Sequence, residues 1–255
     1  MNMKRIIRLF ATILFVWCSV AMTSCGRYRE LPFGGMNGRV QKVTVFHLMP
    51  EVWYAGNVGT DVMYMNSSVY DVDGNEIASA LMDSAGRIQT QAESLFENGI
   101  CVRSIQRAGG KTTGHLSLVS GGRGNLEYTK EQNGKIVRMS VRESTFGRRH
   151  KSVISEDGQV VSVSVVRTDR YGYPVEITTT DMLTGEKSIE TNILDKKHNV
   201  TEKHVVTVKD GKEEERVTYI EYGGFDEHGN WLDARTYNDF RLPEEVVVRE
   251  FEYWE

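Results

Sequence analysis

The sequence predicts an all-β fold, an antiparallel meander of repeated β-hairpins that forms an extended curved sheet or a two-layer sandwich. Three observations support this prediction. The body of the chain, from about Val40 onward, has no convincing amphipathic helix. Its apolar runs alternate with polar residues, and turn-type glycines recur at nearly even spacing.

The predicted strands are rich in β-branched and aromatic residues. Alternation of period two places every second side chain on one face of a sheet, so such runs are typical of half-buried strands. The clearest runs are residues 160–166, 204–209, 217–222 and 246–254.

Glycines separate these runs regularly. Ten of them, from Gly74 to Gly185, cover 111 residues in nine steps, about 12 residues each. One strand and one tight turn fill such a step, whereas a parallel crossover needs a dozen or more connecting residues. The glycine spacing therefore predicts an antiparallel meander.

The turns share their chemistry. Asp at the first position can accept backbone N–H bonds, and Gly at the fourth can adopt positive φ. One turn, 195–199, has His198 at the glycine position, where positive φ costs free energy. Tighter Asn-Gly and Asp-Gly pairs favour type I′ turns. The D-x-x-G turns begin at Asp71, Asp83, Asp169 and Asp226, and the tight pairs begin at Asn98, Asn133, Asp157 and Asp210.

Two units begin with an aromatic residue: residues 70–75 read YDVDGN and residues 225–230 read FDEHGN. Here the chain resembles the YD-repeat (RHS-like) family of bacterial surface and secreted proteins. The resemblance implies consecutive hairpins in an extended, curved sheet. Most units lack the leading tyrosine. The combination with the N-terminus also resembles small repeat-bearing lipoproteins of Gram-negative bacteria.

About a dozen antiparallel strands cannot stay flat, so the sheet should curl or split into two layers. A closed outer-membrane barrel is the competing architecture. Residues 203–209 and 213–219 carry charges at too many outward positions for a lipid-facing strand. The sequence therefore favours the curved sheet or the sandwich over the barrel.

The N-terminus predicts export and lipidation. Residues 1–24 have a basic start and an apolar run of 13 residues, 9–21, which is the pattern of a signal peptide. Met22-Thr-Ser-Cys25 resembles a bacterial lipobox, with cleavage before Cys25 and lipid on its thiol. The alternatives are an ordinary signal peptide or an uncleaved anchor. Residues 25–39 would be the lipidated tether, and residues 40–255 a single β-repeat domain.

Cleavage changes the charge and the thiol count. The whole chain has 31 basic and 35 acidic residues; removal of Lys4, Arg5 and Arg8 leaves 28 basic residues and a formal charge of −7. Cys18 would leave with the signal, so Cys101 would be the only thiol of the body. Its strand-like surroundings predict a small buried residue rather than a nucleophile. Two or three acyl chains would hold the protein on a membrane.

No catalytic, cofactor-binding or metal-binding residue can be nominated. The six histidines lack metal-ligand spacing, and no C-x-x-C or G-x-S-x-G motif is present. Asp71, Asp73 and Asn75 alternate as in a calcium loop, but the glycine position and the final Glu do not match, which favours a turn. The basic cluster Arg148–Lys151 is too small to indicate nucleic-acid binding.

The sequence thus predicts a non-enzymatic, lipid-anchored binding or structural module of a Gram-negative cell envelope, in the outer membrane. Its partner would be an envelope protein or a glycan. The alternative is carbohydrate binding or glycan processing, because aromatic side chains could form a sugar-stacking platform. The aromatic candidates are Trp53, Tyr54, Tyr171, Tyr173, Trp231, Tyr237, Tyr253 and Trp254.

Overall fold

A computed structural model describes residues 36–50, 61–122, 124–132 and 134–255. Within this part, no helix is long and apolar enough to cross a bilayer. The same part contains sixteen strands, which follow in chain order: β1 (Val40–Leu48), β2 (Val62–Tyr70), β3 (Glu76–Asp83), β4 (Ile88–Glu97), β5 (Ile100–Ala108), β6 (Lys111–Gly122), β7 (Asn125–Gln132), β8 (Lys135–Phe146), β9 (Arg149–Glu156), β10 (Gln159–Thr168), β11 (Pro174–Asp181), β12 (Lys187–Leu194), β13 (Val200–Lys209), β14 (Lys212–Tyr222), β15 (Asp233–Tyr237) and β16 (Pro243–Tyr253).

The all-β prediction and the antiparallel meander are confirmed, but the extended curved sheet or sandwich is wrong. Each strand pairs with its neighbours in sequence, and β1 also pairs with β16, which closes the sheet into a barrel. Closure pairs the two terminal strands with each other, which protects both edges of the meander. The part of β14 before Tyr219 pairs with β13 on one side only. Outward charges are unfavourable on a lipid-facing strand, but they do not prevent closure of the sheet.

The core lies on one face of the closed sheet. Leu126 and Tyr128 of β7 pair with Val141 and Met139 of β8, and Tyr128 is 0% exposed. Paired residues of neighbouring strands lie on the same face of a sheet, so one face can be followed from strand to strand. Nearly every buried strand residue lies on the same face as Tyr128, which is therefore the enclosed face of the barrel. The exceptions are Leu48 and Val246.

The opposite, outer face carries cross-strand ion pairs. They include Arg107 with Glu93 at 2.7 Å and Arg138 with Glu127 at 2.9 Å. Two others join β10 to β11 and β1 to β16: Arg167–Glu176 and Lys42–Glu252. The wall of the barrel thus presents charged side chains outward on both sides of the closure seam.

The predicted turn chemistry is confirmed. In the turn after β2, the Asp71 carboxylate accepts N–H bonds from Asp73 and Asn75, and Gly74 has φ 84°. The carboxylate oxygens are thus taken by the turn itself, in keeping with a turn rather than a calcium loop. A further turn of this type, at residues 238–242, begins with Asn238, and the sequence reading missed it.

The remaining sequence predictions divide into two groups. Cys101 is buried, as expected, and its thiol lies 3.5 Å from the Arg103 carbonyl. Cys25, with the signal and most of the tether, lies outside the described residues, as do Trp53 and Tyr54.

Candidate binding site on the aromatic rim

Several aromatic side chains meet at one end of the barrel. We call this the tether end, because β1 begins here at Val40 and the chain enters the barrel from it. The turns after β2, β4, β6, β8, β10, β12 and β14 lie at this end, and the other turns lie at the opposite end. The aromatic rim is the part of the tether end formed by residues 169–173, 195–199, 222–232 and Tyr253.

His198 is at the centre of one half of the rim. Its ring is stacked on Tyr173, with centroids 4.3 Å apart and planes 2° apart, and it contacts the edge of Tyr171 at 4.7 Å. His198 Nδ1 lies 3.1 Å from Asp169 Oδ2. His198 also has φ 65°, a conformation that usually requires glycine. The contacts with the neighbouring hairpin compensate for this backbone strain.

Asp169 binds its own turn and the next one. Burial by itself would raise the pKa of its carboxyl, but N–H bonds from Tyr173 and Tyr171 and the neighbouring His198 together hold that pKa below its usual value. The carboxylate is therefore ionised at neutral pH. One oxygen of Asp169 accepts the N–H bonds of its own turn, and the other faces His198. The carboxylate therefore links the β10–β11 hairpin to the β12–β13 hairpin.

Exposure distinguishes the rings of this half. Tyr171 is 54% exposed, and the Arg170 guanidinium lies 4.5 Å above its centroid. Tyr173 is half-buried under His198. Tyr171 is therefore the most accessible ring in this half of the rim.

In the other half of the rim, polar contacts join the turn after β14 to the segment before β1 and to β16. Asn230 is buried; its side chain accepts a bond from the Asn37 backbone N–H and donates to Tyr253 Oη at 2.8 Å. Tyr253 Oη also donates to Asp226, and its ring packs 4.2 Å from that of His228. Burial, followed by the bond to Asp226, raises the pKa of Tyr253 to about 12.

The ring of Trp231 packs against other residues of the protein. The Arg249 guanidinium lies 3.4 Å from the centroid of the Trp231 ring, and Tyr222 packs 5.3 Å from it. Burial lowers the pKa of Arg249 to about 10, still well above neutrality, so the cation stays charged. The ring face of Trp231 is thus covered by a protein cation.

The structure brings together only part of the predicted aromatic platform. Tyr171, Tyr173, Trp231 and Tyr253 share the rim, whereas Tyr237 lies at the opposite end and donates to Glu221 at 3.0 Å. Sequence reasoning assigned no role to His198 beyond its turn. The signal in the sequence is that His198 occupies the glycine position of a D-x-x-G turn.

A second polar cluster lies on the enclosed face near the opposite end. His47 Nδ1 is 2.7 Å from Glu245 Oε1, its Nε2 is 3.1 Å from Asn66 Nδ2, and its ring stacks on Tyr64 at 4.1 Å. Burial and the nearby Glu245 raise the pKa of Tyr64 above its usual value. Both nitrogens of His47 are engaged, so this arrangement joins β16, β1 and β2 across the closure seam.

No three His, Cys, Asp or Glu side chains are grouped as metal ligands in the described ranges. His204 contacts Glu202 at 2.5 Å and lies 3.7 Å from Glu215, all on the outer wall. The Glu202 contact lies within β13, and the Glu215 contact crosses to β14.

No protein-family model matches this sequence, and no curated protein matches it either. Among solved structures, the chain is similar to a porin-like protein from Bacteroides uniformis ATCC 8492, with 11% identity, TM-score 0.38, and coverage of 85% of this chain and 98% of that one. A porin-like protein from Bacteroides vulgatus ATCC 8482 has 9% identity, TM-score 0.39, and coverage of 84% and 98%. Similarity at this level assigns neither a function nor a location to this chain.

Proposed function

We propose that this protein is a lipid-anchored, non-catalytic binding module of a Gram-negative cell envelope, and that its anchor lies in the outer membrane. The barrel would be held by lipid on Cys25, and its partner would be an envelope protein or a glycan. The observation that carries the proposal is the charged outer wall of the barrel. Because such a wall is unfavourable in lipid, the N-terminal lipid would be the means of attachment to the membrane.

The cost of placing this wall in lipid supports the proposal. Arg138 and Arg107 point outward from β8 and β5, each paired with a glutamate. An Arg or Lys on the lipid face of a membrane barrel costs about 2–4 kcal/mol at the bilayer midplane. Four such residues at that depth would together cost about 8–16 kcal/mol, which is comparable to a typical folding free energy. We therefore infer that the barrel stands in water beside its membrane.

Lipidation is tested with Cys25→Ala in the full chain. We expect the wild-type protein to remain with membranes after a high-salt wash and to carry a lipidated N-terminal cysteine by mass spectrometry. The variant should accumulate as an uncleaved precursor. A wild-type N-terminus without lipid would refute the anchor.

The exposed ring of Tyr171 favours glycan binding as a second candidate function. Sugar rings stack on exposed aromatic faces, and the adjacent Arg170 offers hydrogen-bond donors. The test is a glycan array with the wild-type protein and with Tyr171→Ala. Tyr237→Ala, at the opposite end, is the matched control. Binding that survives Tyr171→Ala unchanged would refute the rim as a sugar platform.

Trp231→Ala separates folding from binding. Because its ring face is covered by Arg249, we expect this variant to lose stability rather than to lose a ligand contact. A selective loss of glycan binding with unchanged stability would instead place Trp231 in the site.

A further inference from the structure

Exposed cations are concentrated on one side of the tether end. Three consecutive hairpins at the tether end, between β8 and β13, have tips with exposed cations. We call these five residues the basic sector: Arg148, Arg149, Arg170, Lys196 and Lys197. Neighbouring hairpins are about 10 Å apart, since each contributes two strands spaced about 4.8 Å.

The charges of the basic sector are available to a partner. Among the described residues, none of the five has a carboxylate within ion-pair distance; Arg170 and Lys197 instead lie over the rings of Tyr171 and Phe225. Asp195, in the third turn, directs its carboxylate oxygens at its own turn, to the N–H groups of Lys197 and Asn199 and to the Asn199 side chain.

Exposed rings accompany the cations. Phe146, at the end of β8, is 89% exposed and pairs with Arg149 across the first of these turns. Tyr171, in the second turn, is 54% exposed. Aromatic side chains beside Arg and Lys are the composition that favours the headgroup region of a bilayer.

The tips at the opposite end carry charges of both signs. Their exposed residues include Asp157, Asp210 and Asp239, together with Lys111, Lys135 and Lys212. Arg87, in the turn after β3, is paired with Asp83 at 2.8 Å. Cations and carboxylates are thus mixed at this end, whereas the basic sector places cations on three neighbouring hairpins.

The chain itself indicates which anionic surface this is. Met36 lies at the tether end, where it packs against the cluster that contains Val40, and Cys25 is eleven residues before it in sequence. Eleven residues span at most about 40 Å. A lipid on Cys25 would therefore hold the tether end, with its basic sector, close to the membrane that carries the lipid.

We propose that the tether end docks on anionic lipid headgroups through the basic sector, with Phe146 and Tyr171 at the interface. The inference rests on the proposed lipid anchor and adds an orientation to it. It is the alternative to glycan binding at Tyr171, because the same ring would face the bilayer. The barrel stands on its basic sector, and the opposite end points away from the membrane. Docking of this kind is weakened by salt, because the attraction acts within a Debye length.

The test uses the purified full chain in vesicles of phosphatidylcholine, with or without phosphatidylglycerol. A fluorophore is placed on Ser144→Cys, near the tether end of β8, and in a second sample on Ile136→Cys, near its other end. Cys101 is buried and should not react. We expect spin-labelled lipid to quench the Ser144 probe in anionic vesicles at low salt, and not the Ile136 probe, which is a 67% exposed position.

Charge variants test the named residues. Each Arg or Lys near an anionic bilayer changes the docked-to-undocked ratio about fivefold, so Arg148→Gln with Arg149→Gln should lower it about 30-fold. Lys135→Gln with Lys212→Gln removes two exposed cations at the opposite end and should change nothing.

The outcomes distinguish docking from anchoring. Flotation with neutral vesicles reports the lipid anchor alone, so failure there refutes the proposed function. Flotation without quenching of the Ser144 probe overturns docking and leaves the anchor in place; it would also be the result if the basic sector bound an acidic protein. Equal quenching in neutral vesicles, or no effect of the charge variant, overturns the role of the basic sector.

Discussion

His198 occupies a position where glycine would be expected, and this gives a sharp prediction about stability. Its φ of 65° costs a non-glycine residue about 1–2 kcal/mol. Two aromatic contacts, each worth about 0.5–1.5 kcal/mol, and a half-buried pair with Asp169, worth up to about 1 kcal/mol, offset that cost.

The two simplest substitutions separate these contributions. His198→Ala loses the contacts and keeps the strain, so the free energy of unfolding should fall by about 2–3 kcal/mol. His198→Gly loses the same contacts but relieves the strain, and this gain exceeds the added entropy of the unfolded chain. We expect the glycine variant to be more stable than the alanine variant by about 1 kcal/mol.

Urea denaturation followed by circular dichroism measures the difference, and thermal unfolding should show it as about 2–4 °C. Lys196, in the same turn, has ordinary negative φ and provides the control. There the order should reverse, with Lys196→Gly less stable than Lys196→Ala. If His198→Ala proved as stable as His198→Gly, the account of strain balanced by ring contacts would be refuted.

Three other predictions concern packing and pH. Trp231→Ala should lower the free energy of unfolding by about 3–5 kcal/mol, because it removes a large ring and leaves Arg249 without its partner; denaturant titration measures this. Gly121→Ala should cost about 1–3 kcal/mol, since its Cβ would lie 2.7 Å from a leucine side chain, whereas Gly122→Ala has open space and should be nearly neutral. The pKa of Asp169 is lowered in the folded state, so its contribution to stability is present at neutral pH and is lost as pH falls below about 4. Unfolding midpoints of wild type and Asp169→Asn between pH 7 and 3 should converge; a constant gap would contradict this.

Local chemistry explains which parts of the fold could be predicted. A D-x-x-G turn is stabilised within five residues, as in residues 71–75, where the Asp71 carboxylate binds backbone N–H groups of its own turn. The tight pairs behave in the same way: Asn98 and Gly99 both have positive φ, as type I′ turns require. Strand alternation is equally local, so the meander follows from sequence.

Closure of the barrel could not be predicted in this way. It depends on β1 and β16, in which Val43 pairs with Phe251 although they are more than 200 residues apart. Any strand with alternating residues can pair with a neighbour, and nothing in either segment specifies the partner. The cumulative twist and curvature of the intervening strands bring these two edges together.

The candidate site likewise combines features set by local sequence with features set by the whole sheet. The sequence by itself determined the turns, the strand alternation and the residue types of each hairpin tip, because these depend on interactions within a few residues. Only the tertiary structure decided that Tyr171, Tyr173 and His198 meet, that Trp231 is covered by Arg249, and that the cations of three hairpins gather at the end from which the tether leaves. Those arrangements depend on which strands are neighbours and on which end of the barrel each turn lies, and both are set by the closed sheet as a whole.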